Sequence, residues 1–506
     1  MGWGADFIAA ISTRGQPLQL RYDLELTQIG NVPANVGYRI TSYGEGSAIL
    51  QIADRGVRVT GSTLAPGTWS STLGQMEIDL AGTVSDLRAA VTRGSFCVVY
   101  VHVWTGTRWI RELLGYGQVQ QLMVTGRSSA TLTLRDLLSA LRSRPTVTAA
   151  QMGLFYTDGV TTTLTTKYHV GDASIDVASS SNFDRETGGN GAVLITPSHG
   201  DPFILRWSSK TATTFTLSGA AADQHGTIRT DAEIGDLVTA LFLVEDHPID
   251  AARKILVSLG SGANGSYDTL PAAWGLGLRD AWIDHDDCDL WRDISRPSMV
   301  WEVVTDVEVA SPWEWMSGWL AAGGFYATIR QGRLTIRCAL RSGRPGSVLL
   351  PRAGTTALTL TDADIEQVEV ETWDSDAEAE AYNVTAYGPT TNASAGGEDL
   401  ATLPAVYRAE YDLGELLFTS EADGLDSIVA RVAEAHQRIP ERYAIACAGM
   451  RAAQLAPGDQ IQMDFSTTGT SIDPVVGIVT QVSPDWGACR VGLVVLVYPT
   501  SGEVWP

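Results

Sequence analysis

The chain has 506 residues, 44% of them hydrophobic and 18% charged, enough apolar material for several folded modules and too much for a disordered chain. Its 35 Lys and Arg stand against 58 Asp and Glu, and the resulting net charge of -23 is spread along the sequence, a field that repels nucleic acid and anionic membranes. Five widely spaced cysteines with no Cys-x-x-Cys pair exclude a zinc ribbon and a disulfide framework.

Residues 1–11 show no basic segment leading into an apolar stretch of signal-peptide length. The longest apolar runs, 238–244 and 491–498, are too short to span a bilayer and read as buried strands. The sequence thus predicts synthesis in the cytoplasm and no membrane anchor.

From residue 18 to 80 the text alternates as paired strands do, with Leu20, Tyr22, Leu24 and Leu26, then Ile52, Val57 and Val59, then Met76, Ile78 and Leu80 on single faces. Val84, Leu87 and Val91 share a helical stripe, strands resume over 96–104 and 109–124, and a short helix is predicted over 133–141. Residues 1–145 therefore read as a β-barrel with helical decoration. Residues 146–245 read as a small all-β module, with strands over 174–178, 192–196, 203–207, 213–217 and 237–244.

Pro248 suits the first turn of a helix whose apolar face is Ile249, Ala252, Ile255 and Leu256, because proline's missing N–H has no helical partner to lose there. Ser311-Pro312-Trp313-Glu314 combines a capping box with proline at the first helical position, and Gly323-Gly324 ends that helix. Phe325, Ala327 and Ile329 then alternate into Gln331-Gly332, and Leu334, Ile336 and Cys338 alternate out, the pattern of a tight hairpin. These elements make 246–355 an α+β helix-hairpin domain.

Residues 343–356 read as a linker and 388–403 as an aperiodic, mobile loop. Strands over 357–360, 365–373, 461–465, 475–482 and 491–498, with a helix over 424–436, make 356–506 a C-terminal β-barrel domain. Pro457-Gly458-Asp459 is the turn that launches its closing strands. The fold class is mainly β within α+β, multidomain.

Chemical signals are thin. Asp284-His285-Asp286-Asp287-Cys288-Asp289 is the densest ligand-like set, yet it lacks the glycine and the spaced glutamate of a calcium loop and reads as a solvated acidic loop. Gly260-Ser261-Gly262-Ala263-Asn264-Gly265 fits a phosphate-loop pattern but follows a predicted helix instead of a strand. Glu302, Asp306, Glu308, Asp374 and Asp376 offer carboxylates for glycoside hydrolysis, and nothing in the sequence selects a pair. The seven histidines (His102, His169, His199, His225, His247, His285, His436) show no metal-ligand spacing, and no nucleophile elbow occurs. The Trp313, Trp315 and Trp319 cluster fits either a core or a subunit interface. No residue is assigned as catalytic, cofactor-binding or metal-ligating, no cofactor is expected, and the chain is read as a protein without enzymatic activity.

Three stretches resemble bacteriophage tail proteins. Ser174-Ile175-Asp176-Val177, Asn182-Phe183, Gly191-Ala192-Val193-Leu194-Ile195, Thr214-Phe215-Thr216-Leu217, Gly226-Thr227 and Gly235-Asp236-Leu237-Val238 together resemble a β-module recurrent in them. The helix and hairpin over 313–340 are similar to the unit that follows that module in tail hubs, and Pro457-Gly458-Asp459-Gln460-Ile461 with the closing strands is like the final barrel of the baseplate-hub family. The resemblance implies a homotrimeric hub in the virion, two barrels per chain forming a pseudo-sixfold ring. It would join tail-tube, distal-tail and tape-measure proteins to tip or fibre proteins, with DNA passing through the lumen without specific binding. The rival from another class is a tail-associated glycan-binding or polysaccharide-degrading protein.

Overall fold

The computed structural model describes residues 2–13, 18–27, 36–43, 51–59, 62–64, 71–72, 74–82, 85, 96–136, 161–181, 183, 191–218, 223–224, 227–257, 280–295, 301–305, 316–317, 320–321, 324–338, 358–371, 381–387, 392–398, 408–415, 441–464 and 475–497. The architecture is mainly β, as the alternation predicts. The helical stripe at Val84, Leu87 and Val91, the Gly260 to Gly265 segment, the 311–315 capping box, the 343–356 linker and the 424–436 helix lie outside the described residues.

After a short helix, α1 (Ala5–Ser12), come β1 (Leu20–Thr27), β2 (Val36–Thr41), β3 (Gln51–Val59), β4 (Ser62–Leu64), β5 (Ser71–Thr72), β6 (Met76–Ala81), β7 (Phe96–Trp104), β8 (Trp109–Val124) and β9 (Ser129–Asp136). They pair in the order β2-β1-β7-β8-β9-β6-β3, and Thr41 of β2 meets Gln51 of β3, which closes the barrel. Leu24 opposes Val99, and Leu80 opposes Ala130, all of them buried. Phe7 and Ile11 of α1, one helical turn apart, are buried in the same core. The predicted helix over 133–141 is overturned for its first four residues, which are strand: Leu132 and Leu134 point inward with period two, between β6 on one side and β8 on the other.

The small module comprises β10 (Thr161–Thr163), β11 (Ser174–Asp176), β12 (Gly191–Thr196), β13 (Phe203–Lys210), β14 (Thr214–Leu217), β15 (Asp223–Gln224), β16 (Thr227–Ile228) and β17 (Leu237–Asp246). The order β10-β17-β12-β13-β14-β11 curls until Leu164 bridges Val177, around a core of Tyr168, Phe203, Trp207 and Phe215. Next come α2 (Pro248–Val257), α3 (His285–Ser295), β18 (Trp301–Thr305), β19 (Phe325–Arg330) and β20 (Arg333–Cys338). Proline opens α2 as predicted. His247 caps it, its Nδ1 accepting from the Ile249 N–H at 3.2 Å.

The remaining strands are β21 (Leu358–Thr361), β22 (Ile365–Glu371), β23 (Ala381–Tyr387), β24 (Asn392–Glu398), β25 (Arg408–Glu415), β26 (Glu441–Ala448), β27 (Gln460–Asp464), β28 (Val475–Asp485) and β29 (Arg490–Val497). The order β22-β26-β29-β28-β27-β21 builds a second curved sheet. β23 to β25 form a sheet of their own, so β24 replaces part of the loop expected over 388–403. Its residues are small and polar and carry no apolar alternation, and its backbone ladder to β23 supplies the order instead.

The two large sheets are continuous. The first part of β28 pairs with β27, Gln481 and Val482 then pair with Thr63 and Ser62 of β4, and Asp485 reaches Arg58 of β3. Leu24, Val101 and Leu132 from the first barrel share one apolar cluster with Ile445, Val479 and Leu493 from the second curved sheet.

Candidate functional site: a buried polar junction

The most heavily built polar site lies where the β19-β20 hairpin wedges between the first barrel and the second curved sheet. Gln331 and Gly332 both have positive φ, 49° and 76°, which is the two-residue turn the hairpin pattern predicts. A Cβ on Gly332 would stand 2.6 Å from the Leu113 carbonyl oxygen of β8, so the tip fits only without a side chain. Beside it the Trp3 N–H donates to Gln331 Oε1 at 2.7 Å and the Trp3 indole donates to the Leu113 carbonyl at 2.7 Å. Trp3 packs edge-on against Trp486, with ring centres 5.7 Å apart. A cavity of about 70 Å³ remains there, lined in part by Trp3, Met76, Leu114, Gln331, Leu455 and Trp486.

The body of the hairpin carries charge into the interior. Arg337 is fully buried. Its Nε donates to Asp287 Oδ2 at 2.9 Å, and its Nη1 donates to Asp459 Oδ1 at 2.9 Å and to the Pro457 carbonyl at 3.0 Å. Burial disfavours the charged guanidinium, and the two carboxylates overcome that and hold it protonated. Thr335 donates to Asp287 at 2.8 Å, while Arg330 donates to Asp284 at 3.1 Å. Tyr326 donates to the Pro457 carbonyl at 3.1 Å, so the Pro457-Gly458-Asp459 turn is gripped from two strands. On the other side Tyr116 accepts from the Leu334 N–H at 3.1 Å, donates to the Trp282 carbonyl and stacks on the Trp282 ring.

The acidic run at 284–289 is therefore corrected. It is the start of α3 and not a solvated loop: Asp284 and Asp287 are buried because Arg330 and Arg337 neutralise them, and Asp284 Oδ1 caps the helix by accepting from the Asp287 N–H at 3.4 Å. Asp289 lies on the outer turn, where Arg253 and Arg292 join it to Asp250. Among the described residues no group of three or more His, Cys, Asp or Glu is placed to hold a metal ion, and no helix is long and apolar enough to cross a membrane.

The other sequence candidates scatter. His102 contacts Asp23 in the first barrel, His169 meets Asp231 on the surface of the small module, His199 is exposed, and His285 opens α3. His225 and His436, with Asp306, Glu308, Asp374 and Asp376, lie outside the described residues, as do Trp313, Trp315 and Trp319. Glu302 sits in β18 opposite Glu245. Sequence reasoning missed Arg337, Arg330 and Tyr326, because alternation places them on the hairpin face that usually meets water. Here both faces are covered.

A second polar cluster lies on the outside of the first barrel. Asp23 is buried there under Arg39 at 2.7 Å, His102 at 3.0 Å and Arg111 at 3.3 Å, and Arg111 also reaches Glu25 at 2.6 Å. Burial pushes the Asp23 carboxyl up. His102, Tyr43 and Arg39 outweigh it and hold the group well below the usual carboxylate range.

No family model matches the chain, and neither does any curated protein. Among solved structures it is similar to a tail protein from Neisseria meningitidis MC58, with 10% identity over 94% of this chain and 96% of that one and a TM-score of 0.37. It is also similar to the 43 kDa tail protein of prophage MuSo2 from Shewanella oneidensis, with 11% identity, 94% and 96% coverage and a TM-score of 0.40. A third is prophage tail protein gp18 from Listeria monocytogenes EGD-e, with 7% identity, 95% of each chain covered and a TM-score of 0.38.

Proposed function

We propose that the chain is a structural virion protein, the trimeric hub of a phage tail tip or baseplate, joining the tail tube to tip or fibre proteins and lining part of the DNA channel. The observation that carries this reading is the sharing of β28 between the first barrel and the second curved sheet. Together with the hairpin wedge it joins the first barrel and the second sheet in one body, suited to transmitting load through interfaces and not to opening and closing around a substrate. The sequence resemblance supplies the trimer, the pseudo-sixfold ring and the neighbours: distal-tail, tail-tube, tape-measure and fibre proteins.

On this reading the modules are 1–145, 146–245, 246–355 and 356–506, with the first and last as the ring-forming barrels. The net charge of -23 agrees with a lumen that lets DNA slide past without gripping phosphates. The protein is made in the host cytoplasm, works in the particle, and acts without turnover. Gold-labelled antibody against the chain, applied to intact particles in the electron microscope, is expected to decorate the far end of the tail. Label absent from particles would refute the reading.

A further inference from the structure

The cavity at the tip of the β19-β20 hairpin is bounded by three parts of the chain: Met76 and Leu114 of the first barrel, Gln331 and Gly332 of the hairpin, and Leu455 and Trp486 beside the second curved sheet. Glycines keep its wall bare. Gly115 also lines it, and a Cβ there would stand 2.6 Å from Met76 Cε, while a Cβ on Gly332 would stand 3.0 Å from the Leu114 carbonyl oxygen. The backbones of β8 and of the hairpin tip therefore meet without side chains to fill the space between them. The volume of about 70 Å³ decides what can enter. Organic ligands occupy sites of roughly 300–1,000 Å³, whereas a water takes roughly 30 Å³ in the liquid.

Most of the wall is apolar, and one polar group in it stands out. Trp486 is fully buried and its backbone N–H donates to the Val57 carbonyl at 3.1 Å, but its indole Nε1 is buried without a hydrogen-bond partner among the described residues. Its ring neighbours are Trp3, edge-on at 5.7 Å, and Phe7, tilted at 6.4 Å, which offer it only π faces. An N–H directed at a π face gains less than one directed at oxygen, and a buried donor without an acceptor gives up its hydration for nothing. Acceptor capacity lies in the same wall. Gln331 Oε1 takes the Trp3 N–H at 2.7 Å, which fixes the orientation of the amide, and an amide oxygen has a second lone pair.

We propose that this cavity is a binding site for ordered water, with one molecule accepting from Trp486 Nε1 and donating to Gln331 Oε1. Native interiors satisfy their buried donors almost without exception, and they use water where no protein oxygen is in reach. The water joins Trp486, next to the end of β28, to the hairpin tip, and through Gln331 to the backbone of Trp3. The junction is thus held by the buried charges on one side and by a hydrated tip on the other. The site is a property of the fold and stands independently of the hub reading.

The test uses high-resolution crystals of the full-length native chain, first as grown and then pressurised with xenon. A water peak about 2.9 Å from Trp486 Nε1 and within hydrogen-bond reach of Gln331 Oε1 is expected. Xenon enters dry apolar cavities, so no xenon peak is expected at this site. Trp486→Phe removes the donor and is expected to lose that water and to admit xenon. Native crystals decide the question even if the variant fails to fold. A native cavity that shows no water and takes xenon would overturn the proposal, leaving the indole edge resting on the Trp3 ring. So would a water peak that persists unchanged in the folded Trp486→Phe protein, because other groups would then hold it.

Discussion

At the residue scale, Asp23 shows how an acidic chain keeps one carboxylate charged in a buried place: two arginines and His102 converge on it. Its folded-state pKa lies below the unfolded one, so its stabilisation is fully present above about pH 4 and is lost as pH falls through the depressed folded value. Asp23→Asn removes that dependence and leaves the arginines facing a neutral amide. Because Arg39 and Arg111 keep access to water, a loss of about 1–3 kcal/mol at pH 7 is expected, with a flatter acid limb in denaturant titrations at stepped pH. The cysteines make a separate prediction. Cys97, Cys288, Cys338 and Cys447 are buried, and burial pushes the Cys288 thiol up to about 11 and the Cys447 thiol up to about 12. A thiol reagent is therefore expected to modify the half-buried Cys489 first in the folded chain, more slowly than a free thiol because burial and Asp485 raise its pKa as well, and all five after unfolding, as counted by mass.

At the scale of elements, the hairpin β19-β20 was fully legible, because two-residue turn chemistry and period-two alternation agree over 325–338. Its partners were not. Arg337 reads as a surface residue until Asp287 and Asp459, 50 and 122 residues away, close around it. The acidic run at 284–289 misled for the same reason, since local composition carries no information about distant arginines. Thr133 to Asp136 continue a strand whose ladder on both sides outweighs local preference, and β24 has no side-chain pattern to read at all. The turn offers a clean test. Gly332→Ala meets both a left-handed backbone and the Leu113 carbonyl, whereas Gly171→Ala has the same sign of φ, +103°, with open space around it. Thermal melts are expected to show a cost of about 1 kcal/mol for Gly171→Ala and about 2 kcal/mol or more for Gly332→Ala.

At the scale of the molecule, mainly-β character followed from end-to-end alternation. The continuity of the two large sheets did not follow, because the contact between β28 and β4 joins positions more than 400 residues apart and leaves no mark in either stretch. On the proposed reading that continuity lets the two sheets act as one unit, and repetition of such a unit around an axis is the heart of the account. Cryo-electron microscopy of the purified full-length protein, averaged without imposed symmetry, tests it most directly. A closed ring of three copies showing six barrels around an open lumen is the predicted image. Single copies at high concentration, with no closed ring, would contradict it.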